Sequence, residues 1–139
     1  MKILVDTSAW IEFYHPRGDE RVKDELREIL EVDRHEIGTL APIIAELLTG
    51  AGTEEEFKIL WRDLKGLTCL PLLQEEGGAA GRIARELARQ GKRIPLVDLL
   101  IAGAAQVHGF QVWHFGNEHF EIIASLGGPT HRDLKGSTQ

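Results

Sequence analysis

The chain contains 139 residues, of which 42% are hydrophobic and 27% charged; these proportions exclude a disordered or collagen-like polypeptide and fit one folded domain. With 16 lysines and arginines against 22 aspartates and glutamates, the net charge is −6, which argues against a protein that coats nucleic acid through bulk positive charge. A single cysteine, Cys69, excludes an internal disulfide, and no apolar run approaches the roughly 20 residues that span a bilayer, so we expect a cytoplasmic protein without a membrane segment.

In the first half of the chain, short aliphatic runs alternate with segments that have a helical spacing of apolar residues. These patterns predict, in order, a strand over 3–5, a helix over 9–14, a helix over 19–31, a strand over 37–40 and a helix over 42–50. Thr53 and Glu56 have the spacing of a capping box and start a further helix. Its buried stripe should consist of Phe57, Leu60, Trp61 and Leu64.

The second half of the chain continues the alternation. It predicts a strand over 67–72, a helix over 74–90, a buried helix over 96–107, a strand over 110–113 and a last helix over 117–126. Pro71 places the first of these strands at an edge of the sheet. Residues 127–139 are polar, so we expect a partly flexible C-terminal tail beyond a domain of residues 1–126. Short strands separated by helices predict an α/β fold with a short, mostly parallel sheet and helices on both faces.

Three acidic residues lie where parallel sheets of this kind place functional groups. Asp6 directly follows the first strand, Glu46 lies early in the helix after the second strand, and Asp98 lies in the first turn of the helix that Pro95 starts. Each is embedded in apolar sequence, where an ionised carboxylate loses hydration unless a cation or hydrogen-bond donors meet it. Each residue alone is explained by helix capping, whereas three converging carboxylates are what a hard divalent cation such as Mg²⁺ binds.

The ordered set of motifs around these acids resembles the PIN-domain nucleases. The motifs are Asp-Thr-Ser from Asp6, Ala-Glu-Leu-Leu from Ala45 and Pro-Leu-Val-Asp-Leu-Leu-Ile-Ala from Pro95, and the resemblance runs from Lys2 to Leu126. Size and motifs together resemble a VapC-type toxin of a toxin–antitoxin pair. This resemblance implies a three-layer α/β/α fold, an endoribonuclease that depends on Mg²⁺ or Mn²⁺, a homodimer, and an antitoxin that blocks the site.

The motif after the fourth predicted strand departs from the family pattern. Many relatives carry an aspartate shortly before a phenylalanine there, and alignment on Phe120 places Asn117 at that position. The Asn117 amide oxygen can bind a metal or its water, or Asn117 can simply cap the last helix. Glu118 is an alternative acid, and His114 or His119 is an alternative group that faces the substrate phosphate.

The resemblance also implies roles for the site residues. Asp6 and Asp98 hold the metal, Glu46 binds it directly or through water and orients or deprotonates the attacking water, and Asn117 belongs to the same catalytic set. In-line attack then leaves a 5′-phosphate and a 3′-hydroxyl without a pair of catalytic histidines. The alternative function is a catalytically weak PIN-fold module that binds RNA or a protein partner.

Two further groups of residues are candidates for contacts with partners. Arginines at helical spacing share one face of the helix over 74–90, where they either bind RNA phosphates or form a solvated surface. Together with a serine at the mouth of the site, for which helix capping is the alternative, the candidates for phosphate binding are Ser8, Arg82, Arg85 and Arg89. Early helices tend to form the antitoxin groove in this family, and the candidates for an antitoxin or dimer interface are therefore Trp10, Phe13 and Leu26.

Overall fold

A computed structural model of the chain describes residues 1–32 and 34–136. In this part of the chain the strands are β1 (Lys2–Val5), β2 (Glu36–Thr39), β3 (Thr68–Cys69), β4 (Gln111–His114) and β5 (His131–Asp133). The helices are α1 (Thr7–Tyr14), α2 (Glu20–Glu31), α3 (Ala41–Thr49), α4 (Glu54–Lys65), α5 (Gln74–Arg89), α6 (Leu96–His108) and α7 (His119–Ser125).

The strands form one sheet in the order β3-β2-β1-β4-β5, and every described strand pair is parallel. Leu4 of the central strand β1 lies beside Gly38 of β2 and Val112 of β4. Ile3, Leu4 and Val5 are completely buried, as expected where helices cover both faces of a parallel sheet. The prediction of an α/β/α fold with a short parallel sheet is therefore confirmed, and β3 lies at an edge as Pro71 indicated.

Small residues allow α5 and α6 to pack closely against each other. A Cβ atom built on Gly103 of α6 would lie 2.7 Å from the Glu76 carbonyl oxygen and 2.8 Å from the Ala80 backbone nitrogen of α5. The buried Glu76 carboxylate also lies 2.9 Å from His108 Nε2 at the end of α6. This packing fixes the position of α6, whose first turn carries Asp98.

The C-terminal segment, predicted as a polar and partly flexible tail over 127–139, contains a strand. His131–Asp133 pair with β4 as the edge strand β5, and Leu134 beyond them is buried. A strand of three polar residues has no apolar alternation, so the sequence contains almost no signal for it. Residues 137–139 of the predicted tail lie outside the described residues.

Helix α4 differs from the prediction in how it packs. Of the four residues predicted for its buried stripe only Leu64 is buried, while Phe57 and Trp61 are 38% and 39% exposed. The helix packs mainly against α3 rather than across the sheet, so one turn of its apolar face is covered and the rest remains exposed.

No helix within residues 1–32 and 34–136 has the length and apolar character needed to cross a membrane.

Candidate active site

Asp6, Asp98 and Asn117 meet at the carboxyl ends of β1 and β4. Asp6 follows β1 and caps α1, Asp98 lies in the first turn of α6, and Asn117 lies in the loop between β4 and α7. Asn117 Nδ2 donates to Asp98 Oδ2 over 3.3 Å, and the Asn117 side chain also donates a hydrogen bond to Asp6. Two carboxylates and one amide therefore share a single polar site at this edge of the sheet.

Asp6 is a buried carboxylate that is only 3% exposed. Its Oδ2 accepts two hydrogen bonds from Ser8, one from the backbone N–H over 3.1 Å and one from Oγ over 2.6 Å. Burial raises the pKa of Asp6 above its ordinary value, the Ser8 hydrogen bonds oppose this rise, and the charge of Asp98 adds to it. Ser8 Oγ also accepts the Phe115 N–H over 2.9 Å, so both hydrogen-bonding directions of this predicted phosphate contact are engaged inside the protein.

Of the two roles that the sequence left open for Asn117, the structure shows the contact at the start of the last helix. Asn117 Oδ1 accepts the backbone N–H of His119 over 3.2 Å, at the start of α7, while its Nδ2 faces the carboxylates. The amide oxygen is therefore not the atom that faces the predicted metal position. His119 Nδ1 lies 2.7 Å from Asp98 Oδ2, at which distance the ring N–H donates to the carboxylate. His119 thus lies in the site beside a carboxylate, a contact that its position in the sequence did not indicate.

Glu46 lies on the exposed side of α3, apart from the carboxylate pair. Its Oε1 accepts a hydrogen bond from Thr7 Oγ over 2.7 Å, and Thr7 is the neighbour of Asp6 in the chain. Across residues 1–32 and 34–136, no group of three or more His, Cys, Asp or Glu side chains is arranged to hold one metal ion. The structure therefore brings two of the three predicted carboxylates together and links the third to them through Thr7.

The other two alternatives, His114 at the end of β4 and Glu118 at the start of α7, make no hydrogen bond to the carboxylate pair in the described residues. His114 is 1% exposed and cannot face a substrate; its Nε2 lies 2.9 Å from His131 Nδ1. Burial lowers the pKa of His114 to about 4, so this ring is neutral at neutral pH. Glu118 is exposed at the start of α7 and makes no capping hydrogen bond there. Of the alternatives to the missing acid, only His119 contacts a site carboxylate in the described residues.

The three predicted phosphate-binding arginines are exposed on α5. Arg82 and Arg85 line a groove of about 910 Å³ whose opposite wall includes the last turn of α6. Asp98 lies in the first turn of α6, roughly 12 Å along the helix axis from that last turn. Arg89 lies 3.6 Å from Glu86 in a surface ion pair. Arg82 and Arg85 therefore line an open groove, and Arg89 is paired with a surface acid.

Two of the three predicted interface residues belong to the core. Trp10 is 1% exposed and Leu26 is completely buried, because α1 and α2 pack against each other. The prediction that these two side chains contact an antitoxin or a second copy is therefore wrong. Phe13 is half-buried and packs edge-on against Trp10, with ring centroids 5.6 Å apart, and it remains a candidate.

Comparison of the sequence with known families and proteins gives consistent matches. Residues 3–126 match the family model described as PIN domain. Ribonuclease VapC18 of Mycobacterium tuberculosis is 30% identical over 134 residues, which cover 94% of this chain and 93% of the relative. Ribonuclease VapC11 of the same organism is 32% identical over 126 residues, which cover 89% and 92% of the two chains.

Solved structures with the same fold include toxin–antitoxin complexes. A chain of VapBC-1 from nontypeable Haemophilus influenzae superposes with a TM-score of 0.77 at 20% identity, covering 96% of this chain and 98% of that one. A chain of FitAB bound to an IR36 DNA fragment superposes with a TM-score of 0.80 at 19% identity, covering 99% and 98%. The family match includes Asp6, Asp98 and Asn117. The chain therefore belongs to the PIN domain family, as a VapC-type member.

Proposed function

We propose that the chain is a divalent-metal-dependent endoribonuclease, the toxin of a toxin–antitoxin pair, which hydrolyses RNA phosphodiester bonds at the site of Asp6 and Asp98. The observation that carries the proposal is the buried Asp6 carboxylate beside Asp98 at the carboxyl end of a parallel PIN-type sheet. It is supported by curated relatives at 30% and 32% identity that are named ribonucleases. These relatives are matched over nearly their whole length.

The chemistry of the donor set fits a hard cation. Mg²⁺ binds through one or two carboxylates and keeps several of its waters, and Asp6 and Asp98 supply such a pair. Burial and the charge of Asp98 both raise the pKa of Asp6, so a cation between the two groups would relieve an unfavourable charge. We assign Mg²⁺ as the cofactor, with Mn²⁺ as the alternative, because both accept carboxylate and water ligands.

The residues of the site would have different roles in hydrolysis. When bound, the cation would lower the pKa of a water and neutralise charge on the phosphoryl oxygens. Asp6 and Asp98 would hold it, while His119 and Asn117 keep Asp98 oriented through hydrogen bonds to Oδ2. Glu46, held by Thr7 over 2.7 Å, is the carboxylate that would orient the attacking water or accept its proton.

The proposal includes a homodimer and an antitoxin that covers an apolar part of the surface. A groove of about 440 Å³ between α1, α3 and α4 is lined largely by apolar side chains, including Ile11, Tyr14, Leu47, Ile59 and Leu60. Exposed apolar surface of this kind commonly marks a protein-binding site. Several neighbours are described as VapBC complexes, which supports an apolar antitoxin segment as the occupant. The exposed members of this groove, Ile11, Tyr14 and Ile59, replace Trp10 and Leu26 as interface candidates.

The test of the proposed function is RNA cleavage by the purified chain with and without metal. Cleavage should require added Mg²⁺ or Mn²⁺, stop on addition of EDTA and resume when excess metal is restored, because the carboxylate pair needs a cation to activate water. DNA and small phosphomonoesters should remain largely intact. Cleavage that continues unchanged in EDTA would exclude the metal mechanism.

A second candidate function is a catalytically weak module that binds RNA or a protein partner. It is favoured by one observation: the position of the expected fourth acid carries Asn117, whose amide nitrogen faces the carboxylates. The same metal titration distinguishes the two functions. A binding module would bind Mg²⁺ and Mn²⁺ weakly and leave RNA uncleaved at every metal concentration.

Replacing Arg85 and Arg89 together with glutamine should weaken RNA binding if the α5 surface contacts phosphates. Each lost phosphate contact reduces the magnitude of the slope of log affinity against log salt by about 1. The slope of the double variant should therefore be smaller in magnitude by up to about 2, with no change in metal affinity. Binding to a labelled RNA measured across a salt series gives the slope. Arg27→Gln is the matched control, because Arg27 also lies in an exposed ion pair three residues from its partner. An unchanged slope would mean that the α5 arginines form only a solvated surface.

A further inference from the structure

The loop between β4 and α7 is held by side chains at three successive backbone N–H groups. Each of the three amides donates to a side chain from a different part of the chain. The pairs are Phe115 N–H to Ser8 Oγ over 2.9 Å, Gly116 N–H to Asp133 Oδ1 over 2.7 Å, and Asn117 N–H to His114 Nδ1 over 3.1 Å. Because these amides have side-chain rather than strand partners, the acceptors determine where the loop, and with it the Asn117 side chain, lies.

The central contact of this loop comes from strand β5. Asp133 Oδ1 accepts both the Gly116 N–H over 2.7 Å and the Lys135 N–H over 3.0 Å. Gly116 has a φ of 65°, in the left-handed region that favours glycine, so the chain turns sharply at the residue that Asp133 holds. The turn places Asn117, one residue later, beside Asp98.

The second contact from β5 acts through His114. Because His114 Nδ1 accepts the Asn117 N–H, the proton of the neutral ring lies on Nε2, which donates to His131 Nδ1 over 2.9 Å. His131 therefore fixes the tautomer and the orientation of the ring that holds the Asn117 backbone. The burial of His114, which lowers its pKa to about 4, keeps the ring in this neutral state.

We propose that β5 positions Asn117 against the active-site carboxylates, directly through Asp133 and indirectly through His131. Asp133 and His131 are positioning residues, since they act on the loop rather than on a reacting atom. The strand lies beyond residues 3–126, which match the family model. The effect on catalysis rests on the proposed ribonuclease function, whereas the effect on the loop does not.

The main test compares Asp133→Ala with Asp133→Asn. The alanine variant leaves the Gly116 N–H without its acceptor, so kcat for RNA cleavage should fall about tenfold or more with little change in KM. The asparagine variant keeps an oxygen at Oδ1 and should retain most of kcat. In an Asn117→Ala background, Asp133→Ala should cause no further loss, because its effect passes through the Asn117 side chain.

A direct measurement of the loop makes the test independent of activity. In NMR spectra of metal-free protein, Asp133→Ala should speed hydrogen exchange at the Gly116 and Asn117 amides and move the Asn117 side-chain amide resonances. His131→Leu should likewise speed exchange at the Asn117 amide and move the Asn117 side-chain resonances. His131→Asn places an oxygen near the former Nδ1 position and should therefore keep exchange and resonances close to those of the wild type. Unchanged exchange and resonances in Asp133→Ala would overturn the proposal, whether or not the wild type cleaves RNA.

Arg132→Gln provides a matched control on the same strand. Its guanidinium lies 4.6 Å from the centroid of the Trp113 ring and 2.8 Å from Glu25, away from the loop. This variant should lower the melting temperature but leave kcat and the Asn117 resonances unchanged. If it reduces kcat as Asp133→Ala does, or if Asp133→Ala remains harmful in the Asn117→Ala background, β5 acts only on stability and the proposal fails. A wild type that cleaves no RNA with either metal would instead contradict the proposed function.

Discussion

Asp6→Asn is expected to lower RNA cleavage by a factor on the order of a hundred or more, while the metal-free protein stays as stable as the wild type or becomes more stable. Asparagine keeps the shape of the side chain and can still accept the Ser8 N–H as the cap of α1. The loss in activity follows from removing one of the two carboxylates that would hold the cation.

The gain in stability follows from the raised pKa of Asp6. In the folded protein, burial and the neighbouring Asp98 disfavour the ionised form, so ionised Asp6 opposes folding at pH values above its folded-state pKa. Protonation relieves this penalty as the pH falls. The difference in unfolding free energy between Asp6→Asn and the wild type should therefore be largest near neutral pH and vanish below the ordinary value of 3.8, where the carboxyl is protonated in both states.

Thermal melts with and without Mg²⁺ measure both parts of this prediction. Wild-type stability should rise with metal as RT ln(1 + [L]/Kd), and the rise should shrink in Asp6→Asn. Glu121→Gln, which removes an exposed acid on the neighbouring α7, is the control and should behave as the wild type. A metal site at Asp6 would be refuted if the wild-type melting temperature did not change with Mg²⁺ up to tens of millimolar and Asp6→Asn cleaved RNA normally.

Gly103→Ala is expected to destabilise the fold by about 3 kcal/mol, although alanine normally favours helix over glycine. The added Cβ would lie 2.7 Å from the Glu76 carbonyl oxygen and 2.8 Å from the Ala80 nitrogen. Both are backbone atoms of α5, which cannot move aside as a flexible side chain could. The two helices would have to separate along their shared interface, and the contacts beside Gly103 would be lost.

Gly81→Ala is the matched control for this prediction. Gly81 lies on α5, and a Cβ built there meets no atom within 4 Å, so only helix propensity changes. This variant should gain up to about 1 kcal/mol. Urea unfolding of the two variants and the wild type gives the free energies of unfolding. Equal stability of Gly103→Ala and the wild type would show that α5 and α6 separate without cost.

The sequence allowed the carboxylate pair to be predicted because backbone topology brings it together. Asp6 follows a strand, Asp98 starts a helix after an Ile-Pro break, and in a parallel sheet both positions lie at the same edge. Glu46 met the same criterion, but it lies on an exposed helix face, where it accepts a hydrogen bond from Thr7, the neighbour of Asp6 in the chain. Sheet topology therefore predicted that the elements carrying the three acids meet. The direction of each side chain determines which of the carboxylates lie together.

The sequence named His114 and His119 as alternatives, but the contacts that these histidines make were not predictable from spacing. His119 and Asp98 are 21 residues apart, and His114 and His131 are 17 apart, so neither pair forms a local motif. Strand β5 was missed for a related reason: its partners lie on β4, and its own residues have no apolar alternation. Contacts with a neighbouring strand produce no local pattern in the sequence. A helix cap does produce one, as the spacing of Thr53 and Glu56 shows.

The order of the strands determines when the site can exist during synthesis of the chain. β1 is made first, yet its neighbour β4 and the loop that contacts Ser8 are made 107 residues later. The acceptor for the Gly116 amide, Asp133 on β5, follows 17 residues after Gly116. A nascent chain that has been synthesised only as far as α5 therefore contains Asp6 but neither Asp98 nor Asn117. The site can assemble only after β4 and the loop behind it have been made, long after β1 and α1 are available.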